Sequence, residues 1–340
     1  MNIFIVCAHC CYILEAIVRN LFQVVPIPIS GLMLGLVSLG NLFLSMDKTT
    51  FGHVCFFIGI FLFLLIIGKL IFAFSSILAE MQNPIIASVS PTFTMGTLSI
   101  SSGLHYYGVS EFVIHMIWIL AATTQIFIIF YFIRTFIWKK RITISDVYPS
   151  WLIMFVGTAV MPLTASDLSG VFTKAIVIFA ICAFIVLVPI LIFRVFIRKD
   201  LPEPTIPMLT ILTAPASISL AAYFQQFESQ FGIVLTLFIF AQILYLLVLS
   251  KLPSALQLPF YPSYAAFTFP LVISATATYG AIHYFEQNGM STSWLESYFY
   301  FQLTFSAIIV FYVFIRYINY LSVQVRQQRR VIREEKEAIS

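Results

Sequence analysis

Charge is what this sequence has least of. Of 340 residues, 18 are Lys or Arg and 14 are Asp or Glu, 9% in all, against about 25% in a soluble globular domain. With 61% of the residues hydrophobic, a water-exposed fold could not cover its own surface, so lipid is the expected outer solvent. Cysteine is sparse too: Cys7, Cys10, Cys11, Cys55 and Cys182 offer no disulfide framework. The cluster Cys7-Ala8-His9-Cys10-Cys11 lacks a second ligand pair and is not the C-x-x-C-H of haem attachment, so no metal or cofactor is expected. Residues 1–25 hold Glu15 and Arg19 but no basic start, apolar run and small-residue cleavage site in succession. A removable signal peptide is therefore not expected, and an interfacial cytoplasmic segment is the reading.

Catalytic signatures are missing as well. There is no H-E-x-x-H, G-x-S-x-G or P-loop, and no acidic pair within an apolar stretch. His9, His53, His105, His115 and His283 have no spaced partners and read as interfacial or packed. Neither an enzyme nor a nucleic-acid partner is expected. No acidic residue lies near the middle of any apolar stretch. A charge there costs at least ~2.5–3.5 kcal/mol on insertion scales, so transporters that keep one generally use it. Its absence speaks against a proton relay, a carboxylate cation site or the acidic ring of a cation channel.

Long apolar runs are what remains. A bilayer core of ~30 Å needs about 20 such residues per helix, and ten stretches fit: 27–46, 51–72, 85–105, 110–137, 150–167, 172–197, 206–225, 230–250, 262–285 and 294–318. Helices rather than barrel strands follow from unalternating runs such as Val54 to Leu65. With the N-terminus inside, sixteen of the eighteen Lys and Arg residues fall on the inner side, leaving Lys48 and Lys174 outside. Such a bias is what the positive-inside rule requires, and it places both termini in the cytoplasm. Residues 26–320 form the membrane domain and 321–340 a charged cytoplasmic tail. Lys69, near the inner end of its span, is expected to snorkel to the interface.

The ten spans alternate in character. Odd ones carry proline: Pro26 and Pro28, Pro84 and Pro91, Pro149 and Pro162, Pro207 and Pro215, Pro262 and Pro270. Beside these sit hydroxyl and small residues, including Ser30, Ser90, Thr92, Thr94, Thr164, Ser166, Ser217, Thr268 and Ser274. Even spans are almost uniformly apolar, Pro189 being the exception. Proline frees a backbone carbonyl and hydroxyls add hydrogen-bonding groups, so the odd spans prefer one another or water to lipid. The expected fold is an all-α integral membrane protein of five helical hairpins, with an inner ring of odd helices around a central pore. Hydroxyl donors and the partial positive ends of broken helices suit a weakly bound anion. Excess basic charge at the inner face adds little, because topology alone predicts it.

Several segments resemble the tellurite-resistance/C4-dicarboxylate transporter family, which includes bacterial TehA-type channels and the slow anion channels of plant guard cells. They are Pro26-Ile-Pro-Ile-Ser-Gly31-Leu-Met-Leu-Gly35-Leu, Leu201-Pro-Glu-Pro204, Leu212-Thr-Ala-Pro215-Ala-Ser217 and Ala266-Phe-Thr-Phe-Pro270. The resemblance covers about 26–320. It implies a quasi-five-fold arrangement of hairpins, a pore through each protomer, a homotrimer in the cell membrane, and transport of chloride, nitrate, sulfite or dicarboxylates such as malate. It also implies that Phe269, just before Pro270, gates the pore. The pore-lining set is then Ser30, Pro91, Thr92, Pro162, Thr164, Pro215, Ser217, Thr268, Pro270 and Ser274. On residues alone, Phe269 is one phenylalanine among 36.

One departure is that Asn83-Pro84 stands where the family frequently has His-Pro, and regulation through long tails of the plant type is not expected. In the tail, Arg330/Glu334 and Arg333/Glu337 suit a short solvated helix. Passive anion conduction is the leading expectation. A secondary, proton-coupled carrier of C4-dicarboxylates or sulfite is the alternative, and a membrane enzyme or scaffold is a third reading that no residue cluster supports.

Overall fold

The computed structural model describes residues 19–138, 142–165, 168 and 170–339, excluding the side chains of 329 and 331–339. The Cys7–Cys11 cluster, Ser166 and the tail pairs Arg330/Glu334 and Arg333/Glu337 lie outside what is described. Every described element is helical. In chain order they are α1 Ile29–Ser45, α2 Thr49–Phe72, α3 Phe74–Glu80, α4 Pro84–Val89 and α5 Pro91–Leu104. There follow α6 Glu111–Ile137, α7 Trp151–Leu163, α8 Val171–Arg198, α9 Glu203–Gln226 and α10 Phe231–Leu249. The last are α11 Leu252–Leu256, α12 Pro262–Gln287 and α13 Ser293–Ile339. Among the described residues, seven helices are long and apolar enough to cross a membrane: α2, α6, α8, α9, α10, α12 and α13. Two of the other expected spans, α1 and α7, are shorter apolar helices, and the third expected span is divided between α4 and α5.

The proline-bearing segments are interrupted where their prolines and glycines dictate. Asn83 caps α4 by accepting the Ile85 N–H at 2.9 Å, with Pro84 in the first turn, where its missing N–H costs nothing. Pro91 then starts α5. In α7 a 3₁₀ turn at Val156–Ala159 separates two short α-helical pieces. In α9 a 3₁₀ stretch over Glu203–Thr213 becomes α-helical only at Ala214, beside Pro215. In α12 the 3₁₀ turn Pro262–Phe267 ends at Thr268, whose backbone (φ −90°, ψ −84°) belongs to neither helix, and Phe269 begins the α-helical part.

Burial separates the same two classes. Of the apolar windows, 83% is buried in α9 and 78% in α12, but only 28–39% in α2, α6, α8, α10 and α13. The plain helices therefore turn most of their surface to lipid, and the interrupted ones lie inside. Each interrupted segment packs on the plain helix that follows it, α1 on α2, α5 on α6, α7 on α8, α9 on α10 and α12 on α13. The interrupted segments also touch one another: α1 meets α5 and α12, and α9 meets α7 and α12.

Lys69 does not snorkel: it is 1% exposed, and its ammonium bonds the Glu80 carboxylate and the Val25 carbonyl. A carboxylate contributed by α3 costs less than a long reach through packed helices. The tail continues the last apolar span as helix. No glycine or proline occurs between Ser293 and Ile339, so α13 runs unbroken for 47 residues, about 70 Å at 1.5 Å per residue and roughly twice the bilayer core.

Candidate functional site

Three cavities run end to end through the interrupted segments. The central one, ≈ 50 Å³, is lined only by residues of α1 and its leading turn, α4–α5, α7, α9 and α12. Its wall includes Pro28, Gly31 and Leu34, then Val89, Thr92 and Met95, then Ile153, Val156 and Gly157, then Met208, Ile211, Pro215 and Ile218, and finally Phe269 and Pro270. At one end it adjoins a ≈ 240 Å³ cavity bordered by Glu80, Asn83, Thr205 and Tyr261, with which it shares Pro28, Val89, Met208 and Ser263. At the other end lies a ≈ 400 Å³ cavity with a polar wall that includes Ser38, Asn41, Ser102, Gln225, Thr276 and His283. Between the central and the His283-end cavities there is one wall residue in common, Phe269.

The local chain explains where that ring points. Phe267 and Phe269 flank Thr268. Phe267 is fully buried and meets the Tyr264 ring edge-on at 5.0 Å, whereas Phe269 faces the cavities at 6% exposure. Thr268 is held from two sides, its hydroxyl donating to the carbonyls of Gly31 (2.9 Å) and Ala265 (2.7 Å). Gly35 makes room for this contact, since a Cβ there would come within 2.6 Å of the Thr268 side chain. On the far side, the Thr213 hydroxyl donates to the Pro270 carbonyl at 2.9 Å. The residues before and after Phe269 are thus both anchored to neighbouring segments.

The sequence-selected residues divide into two groups. Thr92, Pro215, Phe269 and Pro270 line the central cavity, and Thr164 lines the His283-end cavity. Ser30, Pro91, Pro162, Ser217, Thr268 and Ser274 line none of the three and pack between segments instead. Their hydroxyls are already used: Ser30 bonds Thr92 at 2.6 Å, Ser217 bonds Ser274 at 3.3 Å and the Thr213 carbonyl at 3.0 Å, and Ser274 bonds the Pro270 carbonyl at 2.9 Å. Ser90 and Thr94 likewise turn back onto the carbonyls of Ala87 and Pro91. Hydroxyls here mostly tie broken helices together. The Thr92 hydroxyl on the central wall also donates to the Val89 carbonyl, and Ser263 donates to the Pro204 carbonyl.

What the sequence reading missed is the apolar remainder of the central wall, above all Met95, Met208 and Gly157. Gly157 has a close neighbour in Met95, whose sulfur would lie 2.9 Å from a Cβ at that position. Glycine pairing with a bulky side chain across two segments leaves no mark in one-dimensional patterning. With its hydroxyls engaged, the central wall offers few free hydrogen-bonding groups to a water or an ion.

Electrostatically the path is nearly neutral. Among the described residues, no lysine or arginine lines the three cavities. The Glu80 carboxylate at one rim is matched by Lys69 and also accepts from the Ile27 N–H (3.3 Å) and the Ser76 hydroxyl (3.1 Å). Arg194, 2% exposed, is similarly occupied. Its Nε bonds Asp200 at 3.1 Å, its Nη1 bonds the Val147 carbonyl at 2.7 Å, and its guanidinium lies 4.5 Å from the Tyr148 ring centroid. Asp200, in the turn after α8, is partly desolvated, which opposes ionisation. The Arg194 hydrogen bond and the charges of Arg194 and Arg198 outweigh this and hold its carboxyl below the usual range.

No curated protein matches the sequence. Residues 25–318, which contain all three cavities and the helices around them, match the family described as voltage-dependent anion channel. A polytopic helical chain with a neutral path through its buried, interrupted segments is thereby placed by its sequence as well: it belongs to the voltage-dependent anion channel family.

Proposed function

We propose that this protein conducts small anions passively through a pore in each protomer, and that Phe269 is the gate. The observation that carries the reading is the position of Phe269 as the single wall residue common to the central and His283-end cavities. A benzyl ring at a narrow apolar constriction blocks ions sterically and by excluding water, and a rotamer change opens the path. Ten segments cross the bilayer in this reading, α1, α4–α5 and α7 included, as five hairpins in a quasi-five-fold arrangement. The succession of neighbours from α1 through α5, α7, α9 and α12 back to α1 supports it.

Selectivity for anions without a fixed cation means weak binding, as fast conduction requires. Serine, threonine and amide groups at the His283 end meet the ion as it sheds water. The basic bias of the sequence supports a cytoplasmic Glu80 end with both termini on that side. The family resemblance supports a homotrimer in the cell membrane and candidate ions among chloride, nitrate, sulfite and malate.

The test is flux in proteoliposomes loaded in turn with chloride, nitrate, sulfite and malate, with and without an imposed pH gradient. Passive conduction predicts dissipation of each permeant anion's gradient at a rate set by its own electrochemical potential. Uphill accumulation of a dicarboxylate or sulfite driven by protons would replace this reading with that of a coupled carrier.

A further inference from the structure

A second cleft, away from the path, opens sideways where the start of α8 meets the turn between α9 and α10. It has a volume of ≈ 490 Å³ and is lined by Lys174, Val177, Ile178 and Ile181 of α8, by Tyr223, Phe227, Glu228 and Gln230, and by Ile233 of α10. The four α8 residues fall at i, i+3, i+4 and i+7, so they form one stripe that runs from a charged end into the apolar span. Ile178 is 55% exposed on a helix that turns most of its surface to lipid.

The charged end is built rather than incidental. The Thr173 hydroxyl donates to Gln226 Oε1 at 2.7 Å, and Gln226 Nε2 donates to the Pro162 carbonyl at 2.8 Å, locking the start of α8 to the end of α9. The Tyr223 hydroxyl donates to the Glu228 carbonyl and accepts from the Gln230 N–H, both at 3.3 Å, which fixes the turn that carries Glu228. Lys174 rests 5.8 Å from the Phe227 ring centroid. Lys174 and Glu228 share this cleft, yet among the described residues they form no ion pair with each other.

Two opposite charges that share a cleft without pairing with each other, beside an apolar stripe, match a zwitterionic lipid. We infer that this cleft binds a phospholipid whose headgroup carries a primary ammonium, of the phosphatidylethanolamine type. Its phosphate meets the Lys174 ammonium, its own ammonium donates to the Glu228 carboxylate, and an acyl chain follows Ile178 and Ile181 against Ile233. An anionic headgroup would satisfy Lys174 and leave Glu228 opposed. A choline headgroup has no N–H to give the carboxylate.

The test is native mass spectrometry of the purified full chain after equilibration with equal amounts of phosphatidylethanolamine, phosphatidylcholine and phosphatidylglycerol of identical acyl chains. The wild type should retain phosphatidylethanolamine about tenfold over phosphatidylcholine, the ratio that one charge-assisted hydrogen bond supplies. Glu228→Gln should abolish that preference, and Lys174→Gln should lower retention of all three lipids. Both residues are exposed, so unchanged thermal melting is expected of each variant. Equal retention of the first two lipids by the wild type, a preference for phosphatidylglycerol, an unaltered pattern in either variant, or no adduct because a second copy covers the cleft would each overturn the inference.

Discussion

Thr268 and Gly31, 237 positions apart in the chain, are joined by a 2.9 Å hydrogen bond from hydroxyl to carbonyl. The bond fastens the break in α12 to the start of α1 and so sets the direction of the next side chain, Phe269. Local sequence supplies the break, through Pro270, which has no N–H to continue the helical ladder, but the first helix decides how it is oriented.

Gly35→Ala tests this relationship. A methyl group there meets the Thr268 side chain at 2.6 Å and the Phe269 nitrogen at 3.0 Å, so α1 and α12 must part. Overpacking of this kind costs about 1–3 kcal/mol, read as a lower melting temperature, and basal anion leak should rise as Phe269 loses its support. Gly232→Ala, within a helix and with nothing within 4 Å of the added carbon, should neither lower the melting temperature nor raise the leak.

The Lys69–Glu80 pair should behave as a buried ion pair. Glu80→Gln leaves a 1%-exposed ammonium with only the Val25 carbonyl and a neutral amide beside it, at a cost of roughly 3–5 kcal/mol. Lys69→Met combined with Glu80→Gln should recover part of that loss, because the stranded charge is gone. Thermal unfolding of the two single variants and the double variant gives the coupling directly. A double variant as unstable as the sum of the singles would mean that the two residues act independently.

Acid stability should report on Asp200. Its carboxyl is held below the usual aspartate value of about 3.9 by Arg194 and Arg198. A depressed pKa contributes stability above the unfolded value and loses it as pH falls through the folded one. The melting temperature of the wild type should therefore drop below about pH 4 by more than that of Asp200→Asn. At neutral pH the variant should melt lower, because Arg194 is 2% exposed and has lost its carboxylate. Parallel pH profiles for the two proteins would contradict this.

The all-helical, membrane-spanning character was legible in the long apolar runs, and the division into buried interrupted and exposed plain helices in proline. Both signals are local, and proline removes a hydrogen bond wherever it stands. Phe269 was legible only through the family resemblance, since its phenyl ring differs from that of buried Phe267 only in direction. Serine and threonine are ambiguous for the opposite reason. A hydroxyl looks the same in sequence whether it faces a pore or a neighbouring carbonyl, and Ser30, Ser217, Thr268 and Ser274 all chose carbonyls or one another. The snorkelling expected of Lys69 fails because its partner, Glu80, arrives from a short helix that hydropathy alone does not place.

The most direct test of the account is single-channel or macroscopic recording of Phe269→Ala in a planar bilayer under a chloride gradient. Removing the ring should join the ≈ 50 Å³ and ≈ 400 Å³ cavities, so the variant should carry an anion-selective current at least ~10-fold above wild type, as lowering a dewetted barrier by ~1.4 kcal/mol or more requires. A current no larger than that of the wild type, with the variant folded and inserted at the same level, would contradict it.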